Sequence, residues 1–291
     1  MAYVRQIKTA DLTHNDFSKK LLKYVLTTGK DASRIDVVFD VYEENSIKDV
    51  KRARRSSGNL VLKKIVPTSQ IKQWQQLLSS GDFKNKLISY LVSDWKMFAD
   101  LPNGKMLIVT DGADAFEITT TSSCLIPELR SNHQEADTRI LLHAKHASAS
   151  YDHVIVATPD TDVFLIALSQ ISRINVHVYM LTETKDKRRL IDVNACKRFN
   201  KTKHTDDKFS TALLGFHAFT GCDTTSAFAG KGIVKPLQLM GKHNQFVKSF
   251  LKLGSTFDTT ELDFAAFEGF TCHMYGIKDA HGLRISINDV R

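Results

Sequence analysis

Asp160 and Asp162 stand two residues apart, directly after the apolar run Val154 to Ala157 and the pair Thr158-Pro159. Two carboxylates held close, with no basic residue among them, repel unless a cation or a proton lies between them. A divalent metal meets that need, and a helix cap at Asp160 is the plainer alternative. Other carboxylates stand in the same relation to apolar runs. Asp40 closes Ile35-Asp-Val-Val-Phe39, and Asp223 follows Leu213 to Phe219 and a glycine. Glu135 and Asp137 open a run of helical periodicity, where the helix dipole favours carboxylates with or without a metal. Hard oxygen ligands of this kind suit Mg²⁺ or Mn²⁺, and two such ions can activate water and stabilise a leaving oxygen.

Basic residues stand apart from these acids. Ser46 can cap a helix that continues through Arg55, with Lys48, Arg52 and Arg55 on one face and Arg54 beside it. Such a face grips phosphates or simply faces solvent. Gly230, Lys231 and Gly232 precede a helical run with Leu237, Leu239 and Met240. A glycine loop at a helix start exposes amides to phosphate, although this one is not a Walker A loop. His143 and His146, at i and i+3 on one helix, read as packing or surface residues.

The elements that must position these groups follow from periodicity. Asn15 to Thr27 has amphipathic helical spacing, and Gln70 to Leu101 reads as one or two helices broken at Ser79-Ser80-Gly81. The aromatics there share one helical face, so they belong to a core rather than to a base-stacking platform. Lys105 to Thr110 is an apolar strand, and Ala115 to Thr121 reads as a further strand, its candidate hairpin partner. Val154 to Ala157 reads as a strand buried on both faces. Ile174 to Leu181 alternates and is expected nearer a sheet edge, with Thr182 to Arg189 as a charged turn. Phe246 to Leu253 is a helix, and the pattern after Gly254 is irregular.

The chain has 291 residues, of which 42% are hydrophobic and 25% charged, which suits a folded soluble protein. No apolar run reaches membrane-spanning length and the first residues have no signal-peptide core. Cys124, Cys196, Cys222 and Cys272 form no C-x-x-C pair, which argues against a zinc ribbon or a secreted disulfide framework. An intracellular location, nuclear or cytoplasmic, is expected, with no membrane partner. The net charge of +8 points to a polyanionic partner.

Val-Val-Phe-Asp40, the basic helix, Glu135-Ala-Asp137, Asp160-Thr-Asp162 and Gly-Cys-Asp223 occur in that order. The ordered set resembles the flap-endonuclease-like nucleases of the PIN-like superfamily. Phrases such as His-Gln-Glu-Ala-Asp-Thr-Arg and His-Ala-Phe-Thr-Gly-Cys-Asp-Thr-Thr-Ser look like a mobile-element-like animal branch of that group. The resemblance implies an α/β fold: a three-layer, Rossmann-like, mostly parallel central sheet flanked by helices, with a C-terminal helical segment. It implies a PIN-like domain over residues 1–240 and a C-terminal extension over 241–291. It also implies that Asp40, Glu135, Asp137, Asp160, Asp162 and Asp223 hold Mg²⁺ or Mn²⁺. Lys48, Arg52, Arg54, Arg55, Gly230, Lys231 and Gly232 would then hold DNA or RNA. The family begins with a strand and an Asp well before its V-F-D, and Asp40 comes too early for that stretch, so a truncated copy is expected. The activity implied is metal-dependent phosphodiester hydrolysis. The alternative is an inactive nuclease fold that binds nucleic acid or acts as a scaffold.

Overall fold

The computed structural model describes residues 4, 7–9, 11–42, 64–98, 101–184, 187–204, 208–222, 225–255 and 258–277. The chain is a mixed α/β protein, with two small sheets among the described residues. It divides into two compact units, Met1–His146 and Ala147–Arg291. The basic helix expected over 46–55, with Lys48, Arg52, Arg54 and Arg55, lies outside the described residues, as does Asp223.

In the N-terminal unit, helix α1 (His14–Thr28) begins at a capping box. The Asp16 amide donates to Thr13 Oγ1 at 3.2 Å and the Thr13 amide to Asp16 Oδ2 at 3.1 Å. The short α2 (Trp74–Leu77) and the long α3 (Gly81–Phe98) part at Ser79-Ser80-Gly81, as their sequence implies. Phe83, Leu87, Leu91 and Trp95 recur every fourth residue on α3 and are fully buried. The Trp95 indole donates to Ser18 Oγ at 3.0 Å on α1, so it is spent on helix packing rather than on stacking a base.

Those helices cover one face of a four-stranded sheet, ordered β1 (Arg34–Val37), β2 (Met106–Asp111), β3 (Asp114–Ile118) and β4 (Ser123–Leu125). β1 and β2 are parallel, and β2, β3 and β4 form an antiparallel meander, which makes β3 the hairpin partner of β2. Leu107 and Val109 of β2 join the core under α1 and α3, while Ile108 packs on the other face with Ala115, Ile126 and Leu129. Helix α4 (Ala136–Ala147) adds Leu142 to that second cluster. The strand buried on both faces is therefore β2.

The C-terminal unit has a three-stranded sheet, ordered β5 (His153–Ala157), β6 (His177–Thr184) and β7 (Lys187–Asp192), with β5 and β6 parallel and β7 antiparallel to β6. Its helices are α5 (Thr161–Gln170), α6 (Val193–His204), α7 (Lys208–Thr220), α8 (Val234–Lys242), α9 (Asn244–Lys252) and α10 (Phe264–Met274). Residue 240, where the sequence suggests a division, lies within α8. Phe216, Phe246, Phe250 and Phe270 form an edge-to-face core for α7, α9 and α10, with centroids 5.6 Å apart for Phe216–Phe250 and 4.9 Å for Phe250–Phe270.

Three sequence expectations change here. β5 is not buried on both faces: Val156 is buried, but Ile155 is 58% exposed. In register with β6, Val156 pairs with buried Met180, whereas Ile155 pairs with half-exposed Tyr179. An edge strand with one covered face needs apolar residues at alternate positions only. β6 is the middle strand rather than one nearer the edge, and its alternation reports that single covered face. Thr182 to Arg189 is mostly the β6–β7 ladder rather than a turn, with Thr182 opposite Arg189.

Candidate carboxylate site

In the N-terminal unit the chain leaves β1 through Val38 and buried Phe39, whose amide donates to Thr110 Oγ1 at 2.9 Å on the neighbouring strand. Asp40 comes next and is used twice. Its Oδ1 accepts from the Ala136 amide at 3.1 Å and its Oδ2 from the Tyr42 hydroxyl at 3.0 Å. The Val41 amide donates to the Gln134 carbonyl at 2.7 Å, and Asn85 of α3 exchanges two hydrogen bonds with the Tyr42 backbone. The segment after β1 is thereby fastened to the start of α4. Ala136 is the first residue of that helix, and Glu135 and Asp137 flank it. Three of the six expected carboxylates thus belong to one strand end and one helix start, where the first turn's unpaired amides favour anions.

A second polar cluster, which sequence reasoning missed, lies beside it. The Arg34 guanidinium forks onto Asp36, with Nε to Oδ1 at 2.7 Å and Nη2 to Oδ2 at 2.8 Å. His143 Nδ1 donates to Asp36 Oδ2 at 2.7 Å, and Arg34 Nη1 donates to His146 Nδ1 at 2.9 Å. Arg34 and His143 are almost completely buried. Burial pushes the Asp36 carboxyl up, but hydrogen bonds from Arg34 and His143 and their charges hold it below the usual carboxylate range. Burial and the Arg34 charge lower the His146 pKa. His143 Nε2 is buried without a partner. His143 and His146, read from the sequence as packing or surface residues, both pack against the Arg34–Asp36 ion pair. The visible signal was Asp36, a charge inside an apolar strand.

Arg139 of α4 is also buried. Its guanidinium donates to the carbonyls of Gly112 (2.5 Å), Ala113 (2.7 Å), Asp114 (2.8 Å) and Leu129 (3.2 Å), clamping the β2–β3 turn onto the helix.

In the C-terminal unit the ladder runs one residue past β5, with the Thr158 amide donating to the Leu181 carbonyl at 3.0 Å. Pro159 ends it. Asp160 then caps α5, its Oδ1 accepting from the Asp162 amide at 2.9 Å, so the plainer role weighed for Asp160 is the one its carboxylate performs. Asp162 in the first turn of α5 accepts at Oδ1 from His217 Nε2 on α7 at 2.8 Å, and His217 Nδ1 is buried without a partner. Gly221 and Cys222 leave α7 one turn after His217. Gly221 has φ of 118° there, and a side chain would meet the Ala227 backbone at 2.6 Å, which explains the glycine. Thr225 Oγ1 donates to the Ala218 carbonyl at 2.8 Å and accepts from the Cys222 amide at 3.0 Å, tying Cys222 and Thr225 to the end of α7.

Gly230, Lys231 and Gly232 form the exposed loop before α8, with Gly230 at φ of 68°. Lys231 Nζ stands 4.4 Å over the Tyr275 ring, and the Tyr275 hydroxyl donates to the Ala229 carbonyl at 3.2 Å.

The donor set is chemically right for a hard divalent cation, being carboxylate oxygen throughout. Among the described residues, however, no group of three or more His, Cys, Asp and Glu side chains is arranged to hold a metal ion. Asp40 and Asp160 spend oxygens on backbone amides, and Asp162 spends one on His217. Compared with known proteins, the chain matches no family model, no curated protein and no solved structure. Among the described residues no helix is long and apolar enough to cross a membrane.

Proposed function

We propose that the chain is a divalent-metal-dependent nuclease of the flap-endonuclease-like, PIN-like type, hydrolysing phosphodiester bonds in DNA or RNA. The observation that carries this reading is the hydrogen bond from the Ala136 amide to Asp40 Oδ1, which draws a carboxylate from a parallel strand's end to the helix start bearing Glu135 and Asp137. Asp160 and Asp162 stand in the same relation to the other parallel pair, β5 and β6. The fold this reading implies is a mostly parallel, three-layer α/β arrangement flanked by helices. Asp40, Glu135, Asp137, Asp160, Asp162 and Asp223 would hold Mg²⁺ or Mn²⁺, which supplies an activated water and charge neutralisation at the phosphate. His217 would hold Asp162 in orientation, and the Gly230–Gly232 loop and Lys231 would hold the backbone without reading sequence.

The test is hydrolysis of a 5′-flap or branched substrate in Mn²⁺ by the wild type and by Asp160→Asn/Asp162→Asn. Asparagine caps a helix as well as aspartate does and keeps an acceptor for His217, so the double variant should fold and lose activity. Equal cleavage by both proteins refutes the reading. A second reading, a nucleic-acid-binding scaffold on a nuclease fold, is favoured by the hydrogen bonds already held by Asp40, Asp160 and Asp162. Nucleic-acid binding by a protein with no affinity for Mn²⁺ would select it.

A further inference from the structure

The acidic residues account for the hydrolysis proposed above, but the chain's strongest described concentration of positive charge is elsewhere. Residues 173–204 hold nine Lys and Arg against Glu183, Asp186 and Asp192, a surplus of +6 within a chain whose net charge is +8. The fold gathers much of that surplus on one edge. β7 is the outer strand of its sheet, and Lys187, Arg188, Arg189 and Leu190 are all exposed on it. In register, Arg189 stands opposite Thr182, Lys187 opposite Thr184 and Arg188 opposite Glu183.

β7 then runs into α6 with no loop. Asp192 Oδ1 accepts from the Ala195 amide at 2.7 Å and from His177 Nε2 at 3.1 Å. The Val178 amide donates to Asn194 Oδ1 at 2.9 Å, fixing the helix start to β6. Asp192 is thus occupied as a helix cap, although its charge still reaches Arg198. One turn further, α6 carries Lys197, exposed Arg198 and Phe199, which is 63% exposed. Lys197 Nζ donates to Ser172 Oγ at 3.2 Å. The strand-to-helix junction therefore exposes Lys187 and Arg189 on one face of β7, Arg188 and Leu190 on the other, and Arg198 and Phe199 on α6.

We infer that the β7–α6 junction binds single-stranded nucleic acid, with the cations on the phosphates and Phe199 and Leu190 under the bases. A duplex keeps its base faces stacked inside and offers this surface phosphates alone, whereas a single strand offers both chemistries. The inference rests on the nucleic-acid reading above and needs none of the carboxylates.

The test is anisotropy of a labelled 20-nucleotide oligo-dT or oligo-U, in EDTA, from 50 to 400 mM salt. Every single-strand phosphate that a removed cation leaves unneutralised lowers the slope of log K against log salt by about 0.7. Lys187→Gln/Arg188→Gln/Arg189→Gln should lower it by about 2 and weaken binding about 100-fold at 0.1 M salt. Lys19→Gln/Lys20→Gln/Lys23→Gln, the same change of charge on exposed positions of α1, should change the slope by less than about 0.5. Phe199→Ala should weaken single-strand binding and leave the binding of a matched duplex unchanged. An unchanged slope in the β7 triple variant overturns the inference. So does an equal effect in the α1 control, which would mean undirected charge, or equally weakened duplex binding in Phe199→Ala. If the wild type binds neither oligonucleotide but binds anionic vesicles, the surface is a membrane face and the inference fails. Because EDTA removes hydrolysis, absent nuclease activity with intact strand binding would sink the catalytic reading alone.

Discussion

Replacing Arg139 by Met should cost the N-terminal unit about 4 kcal/mol. The side chain is buried, and its guanidinium serves four carbonyls from two segments, the β2–β3 turn and Leu129. A hydrogen bond from a charged donor is worth about 1.5–3 kcal/mol, and a buried acceptor left bare costs about 1–3 kcal/mol. The four bonds do not add at full value. Gly112 is exposed, so water can replace the donor there, and the Ala113 carbonyl keeps a bond from the Ser131 amide at 3.0 Å. Leu129 and Asp114 carry most of the loss. Methionine returns a little by filling the volume with no cation to desolvate, a cost visible in the burial that lowers the Arg139 pKa. Both tryptophans, Trp74 and Trp95, lie in the helical core of this unit, so tryptophan fluorescence during urea unfolding reports on it alone. With a slope of about 2 kcal/mol per M, the midpoint should fall by about 2 M. Arg139→Lys, with one charged head in place of a fork, should recover less than half of that. A midpoint within about 0.5 M of wild type for Arg139→Met would mean that water serves these carbonyls, and the clamp argument would fail.

Asp36→Asn should destabilise the same unit by about 3–5 kcal/mol, because it strands the buried Arg34 without its carboxylate; fluorescence-monitored urea midpoints check it. Since the folded Asp36 pKa is depressed, its contribution is present above the unfolded value and is lost as pH falls through the lower folded one. The wild-type midpoint should therefore drop steeply below about pH 4, and the Asn variant should lack that limb. Burial lowers the His14 pKa, against hydrogen bonds to the Ser69 and Val66 carbonyls that raise it. The unfolded chain thus binds more protons as pH falls below about 6.5, and stability declines in that window. His14→Leu should shrink the difference in midpoint between pH 7.5 and pH 5.5, leaving the share due to His146. Gly215→Ala should destabilise the C-terminal unit by more than about 2 kcal/mol, because the new methyl would press on the Phe250 carbonyl oxygen of α9. Far-UV circular dichroism should show an earlier thermal transition, and an unchanged one would mean that α7 and α9 can move apart.

What the sequence makes legible follows from how local each signal is. Phe83, Leu87, Leu91 and Trp95 repeat at one spacing over three turns, and helix α3 stands where that spacing places it. The break at Ser79-Ser80-Gly81 and the hairpin partner of β2 are as local and equally readable. Val154 to Ala157 reads as buried on two faces when that burial belongs to β2, because a short apolar run looks the same at a sheet's edge and at its centre; strand order decides, and strand order is not local. Helix α6 is hidden for a related reason. Its cap, Asp192, follows the charged stretch Thr182 to Arg189, which reads as a turn until pairing with β6 makes it a strand. The carboxylates divide in the same way. That Asp40 and Asp160 end strands is visible from the apolar runs before them. That Asp40 takes the first amide of α4, that His217 holds Asp162 across two helices, and that His143 holds Asp36 depends on groups 55 to 107 residues apart in the chain. A local pattern can put an acid at the end of an element, but its remaining hydrogen-bonding capacity is decided by these distant partners. A carboxylate already accepting from an amide and a hydroxyl, as Asp40 does, has fewer lone pairs for a cation than its sequence context suggests. The metal affinities of Asp40→Asn and Asp162→Asn therefore bear on the proposed chemistry more directly than the presence of the motifs.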